Sequence, residues 1–366
     1  GHGSSVIGRT PMIVAHAYAR GARQLFKSHR TANALRIVCS VFSLALAWLS
    51  CSVGQHGWSV FCAVRGVASY RRQRSTSLLA RHGTAIDSAE FDLIILGATG
   101  FTGRLACEYL AERDGLGVKW AMAGRSEEKL DLLRKELPRL PKEIPSIVID
   151  VTKALEVKQL VRRTKVIANF AGTPFYDKAL PIVEAVAEEG RCYVDITGET
   201  PFMRVSADRY DKRARETGAL IVHACGYDSV PFDLGAFLAA SAMRSRYGMG
   251  CASIRSYDGA ASGGVSGGTL YTGLSLIEKG DEVEGAKEAS GPYGLDPPGG
   301  KGGPDISDSG GQGSLLPQYD TDKDIWTLPS IMAPINARVV RRSNALAGYA
   351  YGSQMSYGEV QAVPNF

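Results

Sequence analysis

The chain predicts an α/β fold: a doubly wound parallel sheet followed by a second, smaller α+β domain. Three observations predict it. From Phe91 onward, short apolar runs alternate with amphipathic stretches of helical length. The first run, FDLIILG, is rich in Ile and Leu, as a strand buried on both faces must be. A glycine-spaced turn, GATGFTG, then joins that run directly to a helical segment.

Residues 1–86 stand apart from this pattern. They hold eleven Lys/Arg and no Asp or Glu, leaving 31 Lys/Arg against 37 Asp/Glu in the rest. The net charge of +5 therefore belongs to the leader, and the remainder is mildly acidic. That argues against a nucleic-acid-binding face. Within the leader, IVCSVFSLALAWLSC has signal-peptide length, and an Arg- and Ser-rich stretch free of acid follows. This order is expected for a two-part targeting segment that sends the chain to an organelle or membrane (plastid, mitochondrion, lipid droplet or endomembrane). The alternatives are a signal anchor with a basic flank and an over-extended translation start. Seven scattered cysteines form no CxxC pair and no Cys/His ligand spacing, so neither a disulfide framework nor a metal site is expected.

Residues 87–225 are read as the nucleotide domain. In the turn, Gly97 bends the chain, Gly100 lets bare N–H groups approach a pyrophosphate, and Gly103 lets the helix lie on the strand. Thr99, Phe101 and Thr102 complete the loop, and the helix N-terminus faces the phosphates. The helix RLACEYLAER is expected to bury Leu105, Tyr109 and Leu110. The second strand, VKWAMAG, ends in Arg125-Ser126, where an NAD-binding fold usually carries a carboxylate. A guanidinium fork suits a ribose 2′-phosphate, so NADP(H) is expected over NAD(H). Ser126 also suits the cap of the next helix. IPSIVID is a third strand ending at Asp150, beside the adenine. TKALEVKQLVRR is a helix with Leu155, Leu160 and Val161 inward. KVIANFAG is the fourth strand, and its exit, including Asn169 and Gly172, is placed near the nicotinamide. A helix within 179–189, the strand RCYVDITGE, a helix opened by Thr200-Pro201 and the strand ALIVHA complete the sheet.

For proton transfer the candidates are Asp195 and Glu199 after the fifth strand, Tyr176 after the fourth, and Cys225 after the sixth. Asp195 and Glu199 could equally cap a helix, Tyr176 could pack, and Cys225 could serve a tight turn. His223 is the only histidine outside the leader.

These segments together resemble the saccharopine dehydrogenase-like oxidoreductase family, which includes bacterial trans-acting enoyl reductases. The motifs that carry the resemblance are GATGFTGRLACEYLAER, WAMAGRSEEKL, TKVIANFAGTPFYDKALPIVEAVAEEGRCYVDITGE, ACGYDSVPFDLGAFLA and IMAPINARVVRRSNALAGYAYG. The resemblance implies an NAD(P)-dependent oxidoreductase. Its members associate with membranes or lipid droplets, and the bacterial branch with glycolipid biosynthesis. It also implies that the residues of the glycine turn cradle pyrophosphate while Arg125 and Ser126 hold the adenosine end. Two departures stand out. The family has proline before ACG, where this chain has His223, and its substrate domain continues past the position of Phe366.

The expected activity is reduction of a lipid-derived or polyketide-like substrate, free or bound to an acyl carrier, with an enoyl C=C bond as the reacting group. The rival expectations are a saccharopine dehydrogenase or reductase of lysine metabolism, and a catalytically silent NADP-binding adaptor at a membrane. Homo-oligomers would suit any of these. Residues 226–366 are read as the substrate domain, incomplete at its C-terminal end. Within it the Gly/Pro-rich stretch 290–314 is expected to be a flexible insertion, and RVVRR (338–342) a solvated helix face.

Overall fold

The computed structural model describes residues 89–112, 117–137, 139–141, 143–172, 174–259, 271–274, 278–305 and 316–363. The leader reading of residues 1–86 lies outside them.

The alternating apolar runs form one six-stranded sheet. Its strands are β1 (Phe91–Leu96), β2 (Trp120–Gly124), β3 (Ser146–Val148), β4 (Thr164–Asn169), β5 (Cys192–Asp195) and β6 (Leu220–Val222). Their order is β3-β2-β1-β4-β5-β6, and every neighbouring pair is parallel. The order reverses direction at β1/β4, which opens a crevice above the carboxyl ends of those two strands. Leu93, Ile94, Ile95 and Leu96 are all essentially inaccessible because helices cover both faces of β1. Each contributes about 1.5–3 kcal/mol of burial.

The helices are α1 (Phe101–Ala111), α2 (Glu127–Glu136), α3 (Ala154–Arg162), the single turn α4 (Phe175–Lys178), α5 (Leu180–Glu189) and α6 (Thr200–Thr217). One core lies under α1 and α2, with Leu93, Ile95, Met122 and Leu130; the other lies under α3 and α5, with Ile94, Ile167, Val183 and Tyr193. Helical phase differs from the expectation at two places. In α1 the buried face is Ala106, Cys107, Tyr109 and Leu110, with Leu105 only half-buried. In α3 Val157 takes the inward position and Leu155 is 71% exposed.

The second domain is α+β, as expected. Helix α7 (Val230–Tyr247) leads to β7 (Ser253–Asp258), the hairpin β8 (Gln318–Asp320) and β9 (Ile325–Pro329), helix α8 (Ala333–Leu346) and β10 (Ser356–Val363). The sheet order is β7-β10-β9-β8, with β10 parallel to β7 and antiparallel to β9. Helices α7 and α8 pack on it around Ala236, Ile254, Val340 and Tyr357.

The arginine run on α8 is not a solvated face. Arg338 and Arg341 are buried, and they hold the segment expected to be a flexible insertion. Arg338 Nε donates to the Gly291 carbonyl at 2.9 Å, Arg341 Nη1 to that of Pro292 at 2.8 Å, and Arg342 Nη1 to that of Leu295 at 2.6 Å. Arg341 also pairs with the buried Asp305 at 2.9 Å. A Gly/Pro-rich path lacks ladder partners for its carbonyls, and the guanidinium forks supply the donors. Residues 290–305 therefore run as turns packed on α8, with Leu295 buried against Met203 and Ala224; residues 306–315 lie outside the described residues.

Candidate functional site

The loops after β1, β2, β4, β5 and β6 meet at the carboxyl edge of the parallel sheet. The glycine turn comes first. Gly97 has a φ of +84°, and a β-carbon there would stand 2.7 Å from the Ala171 nitrogen and the Phe170 carbonyl carbon. Only glycine allows the loop after β1 to lie that close to the loop after β4. Gly103 is packed on the Gly97 carbonyl, so α1 lies directly on the turn. Gly100 is different. It is exposed and caps α1 with its backbone, and a β-carbon there would meet only the Gly97 oxygen, at 3.3 Å. No side chain caps α1 and no acidic residue sits in its first turn. The N–H groups that open α1 therefore face the crevice together with exposed Thr99 and Phe101 and half-buried Thr102. These residues fit a dinucleotide: bare amides and helix polarity are present where a pyrophosphate needs them.

Helix α2 makes the contrast. Ser126 accepts from Lys129 N at 3.2 Å and donates to Glu128 at 2.6 Å, so it serves as a cap. That hydrogen bond holds the Glu128 carboxyl below its usual range. Arg125 is exposed and makes no hydrogen bond or ion pair among the described residues. Asp150 accepts from Thr152 through both its N–H and its hydroxyl, at 3.0 and 2.7 Å, which holds its carboxyl low. Arg125 lies close enough to add to that effect. The expected adenosine-side residues are thus gathered at one edge.

On the other side Asn169 is fully buried. It accepts from Ala171 N at 2.9 Å and donates to the Tyr193 phenol at 3.0 Å. It shapes the loop from within and offers no side chain to a ligand, which corrects its expected role. Gly172, at φ +83°, continues that loop.

The four candidates for proton transfer separate. Asp195 is 2% exposed and accepts from Thr197 N, Ala224 N and His223 Nδ1. Glu199 is 1% exposed, and its two oxygens accept the Phe175 and Tyr176 N–H groups at 2.8 Å each. It caps α4, not the helix it precedes. Burial pushes the Glu199 carboxyl up to about 7, against the pull of those two N–H groups. Cys225 is buried in the core with its thiol donating to main-chain carbonyls, and burial raises it well above the thiol range. It is a packing residue. Tyr176 alone of the four is not buried. Its ring lies 5.3 Å from the Lys279 ammonium. A phenol beside an ammonium, at the exit of β4, is suited to deliver a proton.

Sequence reasoning missed Tyr193, Ser206 and Ala224. A buried Tyr and Ser carry no local signal, but Ala224 stands where φ is +56°, a conformation that most chains give to glycine or asparagine.

Among the described residues no group of three or more His, Cys, Asp or Glu is placed to hold a metal ion. No described helix is long and apolar enough to cross a membrane.

Fold and site together define an α/β protein of dinucleotide-binding type with an appended mixed-sheet domain. No family model matches the chain. A Mycobacterium tuberculosis protein provisionally named a trans-acting enoyl reductase is 37% identical over 292 residues, covering 75% of this chain and 65% of that protein. The trans-acting enoyl reductases of Mycobacterium bovis and Mycobacterium ulcerans are each 35% identical over 290 residues, covering 75% of this chain and 66% of theirs. The chain thus spans just under two thirds of the length of these relatives. Their names carry the enoyl reductase part of the resemblance and not its saccharopine dehydrogenase part. A short-chain dehydrogenase from Bacillus anthracis is 15% identical and covers 53% of this chain and 91% of its own, at a TM-score of 0.24. So loose a match adds nothing to the strand order seen directly.

Proposed function

We propose that this chain is an NADP(H)-dependent oxidoreductase that reduces an enoyl C=C bond in a lipid or polyketide-like acyl substrate. The observation that carries the reading is the glycine turn, with its uncapped helix beside the reversal of strand order. The kinship with proteins named trans-acting enoyl reductases supports the reaction type. The unspent Arg125 fork favours the 2′-phosphate of NADP(H).

A bound nicotinamide supplies the hydride. The chain's own part is to hold the two phosphates on the α1 amides, to take the 2′-phosphate at Arg125, and to seat the far end between the loops after β4 and β5. Tyr176 donates its phenolic proton to the substrate carbon next to the thioester carbonyl, with the Lys279 ammonium beside its ring. Asp195 and Glu199 give no proton to substrate, because both are buried and turned to main-chain N–H groups.

The saccharopine reading asks for several convergent cations to meet three carboxylates. Arg338 and Arg341, of the 338–342 run, are spent on the 291–305 backbone. The test is NADPH oxidation by the full chain with an enoyl thioester, beside lysine plus 2-oxoglutarate and saccharopine. Turnover of the thioester alone, falling about a hundredfold in Tyr176→Phe with NADPH affinity unchanged, is the expected result. Turnover of the amino acids instead overturns the reading. Tight cofactor binding with no turnover of either assigns the chain to a silent adaptor.

A further inference from the structure

One carboxylate at the carboxyl edge of the sheet gathers hydrogen bonds from three donors. Asp195 Oδ1 accepts from Thr197 N and Ala224 N, each at 3.1 Å, and Oδ2 accepts from His223 Nδ1 at 2.7 Å. Behind His223 stands a second tier: the Ser206 hydroxyl of α6 lies 2.8 Å from His223 Nε2. The network assigns the tautomer: Nδ1 carries the proton to Asp195, and Nε2 accepts from Ser206. The ring edges of Phe202 and Tyr193 hold the imidazole from the sides. A continuous chain of bonds thus runs from Ser206 of α6 through His223 to Asp195 of β5.

What this chain restrains is a strained residue. Ala224, at φ +56°, occupies the left-handed region that a β-carbon disfavours. Its N–H is taken by the Asp195 carboxylate, and the next N–H, of Cys225, by the Asp195 carbonyl at 2.7 Å. The turn Gly226–Ser229 that starts α7 follows from there. On the other side, Thr197 is fixed by the same carboxylate, its hydroxyl accepts from Glu199 N at 3.0 Å, and Glu199 clamps the Phe175 and Tyr176 amides. The shapes of the loops after β4, β5 and β6 are therefore set in series from one residue.

The geometry points to Asp195 as the positioning residue of the nicotinamide-side edge, kept in place by His223 and Ser206, with the task of holding Ala224 left-handed. This rests on the reading of that edge as part of a dinucleotide site, and it assigns that site its organising group. Neither Asp195 nor His223 is catalytic: every polar atom of both side chains is engaged within the protein.

The experiment compares the full-length protein with Asp195→Ala, Ala224→Gly and the double variant. Two readouts are taken: amide hydrogen exchange of residues 223–229, and titrations with NADPH and with ADP bearing a ribose 2′-phosphate, which lacks the nicotinamide half. In Asp195→Ala the 223–229 amides exchange about tenfold faster, and NADPH binding weakens about tenfold while the shorter ligand changes less than about twofold. Adding Ala224→Gly restores most of both losses, because glycine takes a positive φ unaided. A carboxylate that merely filled space would show no such rescue. Equal weakening of the two ligands, or a double variant no better than the single one, overturns the proposal. If Asp195→Ala does not fold, His223→Gln carries the same comparison with a smaller loss, again reversed by Ala224→Gly. Failure of the native protein to bind either ligand would remove the dinucleotide reading, and the exchange data would still decide the role of Asp195.

Discussion

Gly103 packs on the carbonyl oxygen of Gly97 so closely that no β-carbon fits between them. Helix α1 and the turn after β1 therefore meet backbone to backbone at this point, and the first amides of α1 are set where a pyrophosphate would lie. Gly103→Ala has only backbone to push against, at the Gly97 carbonyl and the Ala98 Cα. It is expected to lose about 3 kcal/mol of stability and all measurable nucleotide binding. Denaturant unfolding and an NADPH titration read the two effects separately.

In the proposed function, the choice of cofactor falls to Arg125. Arg125→Asp places a carboxylate where the 2′-phosphate would sit, and NADPH affinity should fall about a hundredfold with NADH affinity nearly unchanged. Parallel titrations of both cofactors check this. Equal losses would mean that Arg125 acts on a part common to the two molecules.

Glu199 gives the site a pH signature. Burial raises its carboxyl from the ordinary 4.5 to about 7 in the folded chain. The folded state then holds the proton more tightly than the unfolded state does. The stabilisation is complete below about pH 4.5 and is lost as pH rises through about 7, to the extent of roughly 3 kcal/mol at most. Glu199→Gln should flatten the stability profile across that window, as read from melting temperatures at a series of pH values. A native profile that rises between pH 5 and 7, and still rises in the variant, would contradict it.

Arg341 and Asp305 form an ion pair whose side chains are almost fully buried. Arg341→Ala leaves a buried carboxylate and an unserved Pro292 carbonyl, and is expected to cost about 3–5 kcal/mol. The segment 291–305 should then become sensitive to limited proteolysis. Arg341→Ala combined with Asp305→Asn should recover part of the loss, since no unpaired charge remains.

The fold was legible wherever burial is continuous. Each central strand is covered on both faces, so FDLIIL and KVIANF announce themselves as apolar runs, and the glycine spacing locates the turn between strand and helix. The glycine turn was equally legible, because Gly97, Gly100 and Gly103 lie within one short stretch of chain. The junction of the loops after β4, β5 and β6 was not. Asp195, Ser206 and His223 meet only once β5 and β6 are paired and α6 crosses behind them, so none of the three carries a local sign of the others. Arg338 and Arg341 were misread for a related reason. Their charge suggested water, whereas the distant Gly/Pro-rich segment left carbonyls that needed donors.

Titration of the full-length protein with NADPH and with NADH tests the central claim most directly. Binding of NADPH at least about tenfold tighter than NADH, with the preference abolished in Arg125→Asp, is the predicted result. Tighter binding of NADH, or no binding of either, would contradict it.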